Sequence, residues 1–259
     1  MTKDVAALLE DYSCVGLYDL DNVKLMNRID TKFIFPIARL ADLLEIMKGQ
    51  YRVLEINGER ILGYNTTYFD TADYLFFNQH VTGRPERNKV RVRYYLSTAT
   101  TYLEVKRRTR KNRTIKWRIE QESPGLTLDG RALEFLSGYV PDVAAILIPA
   151  LHNDFRRITF AGCSFQERVT IDIDLKFRGT DGEQSDIPFL TIAELKSDGP
   201  ASRSNFGKLI RQLSVKSSGF SKYCLGDALL YDIPKKNVLK SKLILLNKLE
   251  NDFKSSLNA

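Results

Sequence analysis

Six segments of the chain carry charged side chains at alternate positions, with apolar residues between them. Arg28, Asp30 and Lys32 share one parity, while Ile29 and Phe33 take the other. Arg91 and Arg93 alternate with Val90 and Val92, and Glu104 and Lys106 with Leu103 and Val105. Lys116 and Arg118 alternate with Ile115, Trp117 and Ile119. Arg168, Asp172, Asp174 and Lys176 alternate with Val169, Ile171, Ile173 and Leu175, and Glu194 and Lys196 bracket Leu195. A period of two belongs to strands whose two faces meet different surroundings. For one strand, the charged side reads simply as a solvated outer face. Six such strands in a chain that is 43% hydrophobic predict a charged side with a task. In a closed barrel that side is the interior, because every second residue points into an enclosed space.

Cations gathered in an enclosed space are very costly without a counter-charge, so such a tunnel calls for an anion. Arg offers a planar fork of donors matched to phosphate oxygens, and Lys a compact point charge. The mixture suits a chain of phosphates better than a single carboxylate. Glu104 and Glu194 each stand two residues before a lysine, on the same side of their strands. A carboxylate beside a phosphate repels it unless a metal lies between, and Mg²⁺ or Mn²⁺ is held in this way by one or two carboxylates and phosphate oxygens. The other reading is that each Glu neutralises the Arg and Lys around it.

The remaining sequence agrees with one compact α+β unit. Strands are expected at 28–36, 51–56, 61–70, 88–97, 100–108, 113–121, 154–161, 166–177 and 189–196. Helices are expected at 4–10, 19–26, 38–48, 71–80, 129–138, 141–149, 201–213 and 221–230. In the third of these, Leu40, Leu43, Leu44 and Met47 recur at helical spacing before Gly49. Many antiparallel strands and few helices predict an antiparallel β-barrel tunnel with flanking helices. The tunnel domain is placed at 1–235, and 236–259 is read as a Lys-rich helix packed on the barrel or on a partner. Internal repeats and low-complexity linkers are lacking.

Lys and Arg number 39 against 32 Asp and Glu, a net charge of +7 that suits an anionic ligand. No stretch approaches the roughly 20 apolar residues of a membrane span. The first residues carry acids and no basic segment leading into an apolar core, unlike a secretory signal. Cys14, Cys163 and Cys224 are isolated and read as reduced thiols, so a cytoplasmic location is expected. His80 and His152 sit in no catalytic pattern, and neither a Gly-rich phosphate loop nor a nucleophile turn is present.

Six pieces occur in a fixed order: Arg28-Ile-Asp-Thr-Lys32, Arg91-Val-Arg93, Leu103-Glu-Val-Lys106, Phe155-Arg-Arg157, Ala193-Glu-Leu-Lys196 and Gly219-Phe-Ser-Lys-Tyr223. Together they resemble the VTC domain, the polyphosphate polymerase domain of the vacuolar transporter chaperone complex, in its bacterial stand-alone form. That family lies within the triphosphate tunnel metalloenzymes, and the resemblance covers about residues 24–230. It implies a polymerase in which ATP gives its γ-phosphoryl group to inorganic polyphosphate or pyrophosphate, with Mn²⁺ or Mg²⁺. By motif position it implies that Lys32, Arg91, Arg93, Lys106, Lys116, Arg157, Lys196 and Lys222 hold phosphates. It further implies that Arg168 does so or supports the wall, that Ser221 hydrogen-bonds a phosphate oxygen, and that Glu194 holds the metal.

Two departures bear on this. Hydrolytic members of the superfamily open with Glu-x-Glu-x-Lys, where this chain has Arg28, Asp30 and Lys32. Losing the first Glu weakens a two-metal hydrolase and resembles the polymerase branch. Phe155 stands where the family often has Tyr, so that hydroxyl is missing. The rivals are a tripolyphosphatase or nucleoside triphosphatase on the same fold, and a non-catalytic module binding polyphosphate or nucleotide. Nucleic acid is not expected, because the basic stretch 106–118 has only Tyr102 and Trp117 near it and Trp117 falls on the apolar side.

Overall fold

The computed structural model describes residues 2–22, 29–111, 113–122, 127–164, 166–233 and 235–257, so Arg28 and the end of the helix expected at 19–26 lie outside the described residues. The strands are β1 (Cys14–Val15), β2 (Ile29–Pro36), β3 (Tyr51–Leu54), β4 (Leu62–Asp70), β5 (Arg87–Tyr95), β6 (Thr100–Arg108), β7 (Thr114–Gln121), β8 (Ile148–Gly162), β9 (Glu167–Gly179), β10 (Gln184–Ile187) and β11 (Leu190–Ser197). The helices are α1 (Thr2–Glu10), α2 (Leu17–Asn22), α3 (Leu40–Met47), α4 (Leu75–Val81), α5 (Gly130–Ser137), α6 (Asn205–Gln212), α7 (Lys222–Leu230) and α8 (Lys240–Leu257). One antiparallel path runs β2–β11–β9–β8–β4–β5–β6–β7. Off it, β10 pairs with β9, and β3 joins β8 to β1.

Apolar residues of one parity cover the outside of this path. Val90, Val92, Leu103 and Val105 are buried with Ala132 and Leu136 of α5. Phe33, Phe35, Val169, Ile171, Ala193 and Leu195 are buried against Leu40, Leu43, Leu44 and Met47 of α3 and Phe206 and Ile210 of α6. Full burial of each such side chain contributes roughly 1.5–3 kcal/mol, which fixes the register because a one-residue slip would turn the charges into these interfaces. A third cluster joins Tyr64, Tyr68, Phe155, Leu175 and Phe177 to Tyr223 and Leu225 of α7 and to Leu246 and Leu249 of α8. There α7 lies against the sheet so closely that a Cβ on Gly226 would stand 2.5 Å from Leu151 and 2.6 Å from Phe177.

Three expectations are corrected. The path is open rather than a closed barrel: among the described residues β2 and β7 form no ladder. The free edge of β2 is instead met by the segment before α7, through a bridge between Phe33 and Ser217 and a bond from Ser218 N to Lys32 O of 2.8 Å. Segment 141–149 is not a helix. It holds a 3₁₀ turn at Ala144–Ile146, and β8 begins at Ile148 because its backbone pairs with Asp70 of β4.

The alternation along β9 also fails after Asp172. Register shifts between Asp154 and Arg156 on β8, and the facing Asp174 takes φ 51°, a left-handed conformation that Asp tolerates better than most residues. Leu175 and Phe177, rather than Asp174 and Lys176, therefore follow Asp172 onto the side that packs α7. Asp174 pairs with Arg156, and Lys176 with Asp186 at 3.4 Å.

Candidate functional site

The charged parities of β5, β6 and β7 meet in rungs fixed by the ladder. Lys89 stands opposite Lys106, which stands opposite Lys116. The next rung is Arg91, Glu104 and Arg118, and the one beyond it Arg93, Tyr102 and Glu120. Like charges directly opposite each other destabilise a sheet. Three lysines in one rung therefore need compensating negative charge, part of which Glu104 supplies to Lys116. Across the path, Lys32 stands opposite Glu194 and Lys196 opposite both Asp30 and Arg168.

A cavity of about 610 Å³ opens on this face, lined among others by Asp30, Lys32, Lys89, Lys106, Glu194 and Ser221. Glu194 sits between two lysines, 2.7 Å from Lys196 and 3.2 Å from Lys32. Burial alone would raise its carboxyl, but Lys196 and Lys32 outweigh burial and hold it well below the carboxylate range. Lys106 has no carboxylate partner among the described residues; the charge of Arg91 and then burial push its ammonium well below the usual range. Burial brings Lys89 down to about 8. Its ammonium donates to Ser221 Oγ at 2.9 Å.

Glu104 is fully buried, bonded to Arg91 at 2.7 Å and paired with Lys116. Burial would raise its carboxyl; the charges of Arg91, Arg93 and Lys116 reverse that and depress it. Lys116 is itself lowered to about 8, since its burial outweighs the attraction of Glu104. Asp172 performs the same service elsewhere: it accepts from Arg157 at 2.6 and 2.8 Å and from Lys222 at 2.6 Å. Its burial is overcome by Arg157 and Lys222, and its carboxyl falls to about 2. Arg93 is buried without a carboxylate partner among the described residues, donates to Thr66 at 3.2 Å, and lies 5.6 Å from the ring centres of both Tyr64 and Phe155.

The structure thus gathers Lys32, Arg91, Arg93, Lys106, Lys116, Arg157, Glu104, Glu194, Lys196 and Lys222 onto one face of the path. Of these, Lys32, Lys106 and Glu194 line the cavity; Arg168, at the start of β9 opposite Lys196 and of the same parity as Asp172, is like the other seven not among the lining residues. Ser221 is the N-cap of α7, accepting from Cys224 N at 3.2 Å. That cap fixes where Lys222 enters. Lys89 and Asp172 are absent from the sequence-derived set of site residues. Lys89 continues the Arg91–Arg93 parity one step earlier, so its signal was present; Asp172 showed its parity but not its partners. His80 lines the cavity, but burial lowers its pKa to about 2 and its Nδ1 engages Phe76 O at 3.0 Å, leaving a neutral ring.

One face of the open antiparallel sheet thus stacks Lys and Arg rungs with carboxylates between them, and Lys89 and Lys106 of these rungs line the cavity. The chain belongs to the VTC domain family, whose model matches residues 27–124 and 142–231. No curated protein matches it. Among solved structures it overlaps a Hippeastrum protein assigned as an adenylyl cyclase with a dominant triphosphatase activity, at 14% identity, 80% of this chain, 98% of that one and a TM-score of 0.49. It also overlaps proteins assigned as adenylate cyclases. The one from Bacillus halodurans is 12% identical, covering 76% and 96% of the two chains at a TM-score of 0.49. The one from Vibrio parahaemolyticus is 12% identical, covering 76% and 95% at a TM-score of 0.45. No helix among the described residues is long and apolar enough to cross a membrane.

Proposed function

We propose that this protein is a metal-dependent polyphosphate polymerase that moves the γ-phosphoryl group of ATP onto inorganic polyphosphate or pyrophosphate. The observation that carries the reading is the rung Lys89–Lys106–Lys116, three opposed lysines of which Lys89 and Lys106 line a cavity together with Lys32 and Glu194. A chain of phosphates satisfies such a rung; a lone carboxylate does not.

The donor set fits a hard divalent cation at one of the two candidate carboxylates. Glu194 lines the cavity with Asp30 and is 20% exposed, and a phosphate that draws off Lys32 or Lys196 would leave its oxygens available. Glu104 is enclosed by Arg91 and Lys116, so we assign it to holding those cations rather than a metal. Mg²⁺ and Mn²⁺ sites are commonly completed by phosphate oxygens and water around one or two carboxylates. When bound, the ion would neutralise charge on the transferring phosphate.

The chain's own residues bind and align. Lys106, Lys116 and Lys89 grip one phosphate group from the rung, and Arg91 and Arg93 supply planar forks to its neighbours. Lys222 and Arg157, set in place by Asp172, close on the phosphates from α7 and β8. A terminal oxygen of the acceptor forms the new P–O bond to the γ-phosphorus. The bond to the β–γ bridging oxygen breaks, and ADP leaves with its electron pair. The attacking oxygen is already anionic, so no general base is required, and positioning with charge neutralisation supplies the catalysis.

Incubating the protein with ATP and Mn²⁺ and resolving products on a polyphosphate gel tests this. A ladder lost in Glu194→Ala supports the polymerase. Release of free phosphate without a ladder would move the protein to the tripolyphosphatase or nucleoside triphosphatase reading. Tight polyphosphate binding with no turnover would leave a receptor.

A further inference from the structure

The face that carries the lysine rung changes character along β6. Tyr102 shares the parity of Glu104 and Lys106 and stands four residues before the lysine, about 13 Å along the strand. Its neighbours make a stack. The guanidinium of Arg118 lies 4.5 Å from the Tyr102 ring centre. Tyr95 meets Tyr102 edge-on at 5.9 Å and 89°, and Tyr64 meets Tyr95 at 5.1 Å. Tyr64 in turn stacks on Phe155 at 5.2 Å and 7°. Arg118 is exposed and Tyr102 half-exposed, and the Tyr102 hydroxyl has no hydrogen bond among the described residues. On the opposite face of the sheet the aromatic pair Trp117 and Tyr139 stacks at 4.4 Å beside α5 and serves packing.

We propose that Tyr102, with Arg118 and Tyr95, is the platform on which the base of a nucleoside triphosphate stacks. This rests on the reading of the cavity as a triphosphate site and adds the part of the substrate that phosphate contacts cannot recognise. A planar heterocycle extends the stack, since guanidinium planes and phenol rings both present flat faces to a base. The spacing then runs in one direction: base at the Tyr102 rung, first phosphates at Arg93 and Arg91, terminal phosphate at the lysine rung. Phe155 and Tyr64 lie deeper, beneath Arg93 and Arg157, and their faces are already taken by cations. Both of those rings are buried and each faces two or more cations, whereas the half-exposed Tyr102 faces Arg118 alone among the described residues.

The test compares ATP with inorganic tripolyphosphate, which has the phosphates and no base. Calorimetric titrations of the full chain with each ligand are run for wild type, Tyr102→Ala and Tyr102→Phe. The platform predicts that Tyr102→Ala weakens ATP binding about tenfold or more, leaves tripolyphosphate within about twofold, and that Tyr102→Phe keeps both. Equal weakening of both ligands would make Tyr102 a wall residue, and no change in either would remove it from the site; each overturns the platform while sparing the triphosphate reading. Wild-type protein that binds neither ligand would overturn both.

Discussion

The ammonium of Lys222 lies 3.0 Å from the centre of the Phe155 ring while donating to Asp172 at 2.6 Å. Phe155 is also within 5.6 Å of Arg93 and 5.3 Å of Arg157, so one neutral ring receives three cations. The ring itself adds no negative charge, and Arg93 has no carboxylate partner among the described residues, whereas Arg157 and Lys222 share Asp172. Cation–π contacts contribute about 0.5–2 kcal/mol each. Phe155→Leu keeps apolar volume and removes the quadrupole, and is expected to lower kcat/KM for ATP by roughly tenfold. Phe155→Tyr, the residue more usual in the family, should hold activity near wild type. Equal activity in the Leu variant would show that the ring only fills space.

Asp172 is the anion that lets Arg157 and Lys222 share a buried place. Removing one partner of a buried pair costs about 3–5 kcal/mol because the charge left behind is uncompensated. Asp172→Asn should therefore unfold at markedly lower denaturant than wild type. Saturating tripolyphosphate should recover more stability in the variant than in the parent, since the ligand replaces the missing anion. A variant as stable as wild type, or one indifferent to the ligand, would contradict this placement.

Lys89 and Lys116 titrate near 8 in the ligand-free site, below their ordinary value because burial disfavours the charge. A bound polyanion favours the charged form and raises both. The contribution of these two lysines to tripolyphosphate affinity is then complete only well below pH 8 and falls as pH climbs through it, where binding must take up protons. Titrations at pH 8.5 (about half a unit above that value) in buffers of different ionisation enthalpy should report net proton uptake, and titrations near pH 6.5 far less from these two groups. Proton release on binding at the higher pH, beyond what the tripolyphosphate itself gives up, would reverse the sign and refute the assignment.

Glu194 and Glu104 differ in enclosure, and a metal titration separates them. In the presence of tripolyphosphate, Glu194→Gln should lose Mn²⁺ binding, while Glu104→Gln should keep it and lose thermal stability instead. Loss of Mn²⁺ binding in the Glu104 variant, with its fold intact, would exchange the two roles.

Much of this site was legible because alternation in an antiparallel strand survives translation into structure. Arg91, Arg93, Glu104, Lys106 and Lys116 stood out by parity alone, and the apolar parity of strands β2, β5, β6, β9 and β11 is the side on which α3, α5 and α6 pack. Reading stopped where one residue changed the count. Asp174, with its φ of 51°, moved itself and Lys176 off the Asp172 face, and Asp is only a weak signal for that conformation. That the sheet stays open was equally out of reach. The edge of β2 is met by Ser217 and Ser218, a long-range pairing with no local pattern. The strand at Ile148 looked like helix because its apolar run had no period of its own; its partners in β4 and β9 decided it. Arg157 and Lys222 came from the ordered motifs, and the carboxylate that positions them became visible only once β8, β9 and α7 were brought together.

The central claim is that the acceptor is phosphate and not water. Phosphorus NMR of the protein with ATP, pyrophosphate and Mn²⁺ measures this directly, because internal phosphates of a growing chain resonate apart from orthophosphate. The account predicts that ADP appears together with internal chain phosphates and little orthophosphate, and that Glu194→Ala abolishes both. ADP accompanied by an equal amount of orthophosphate and no internal chain signal would contradict it.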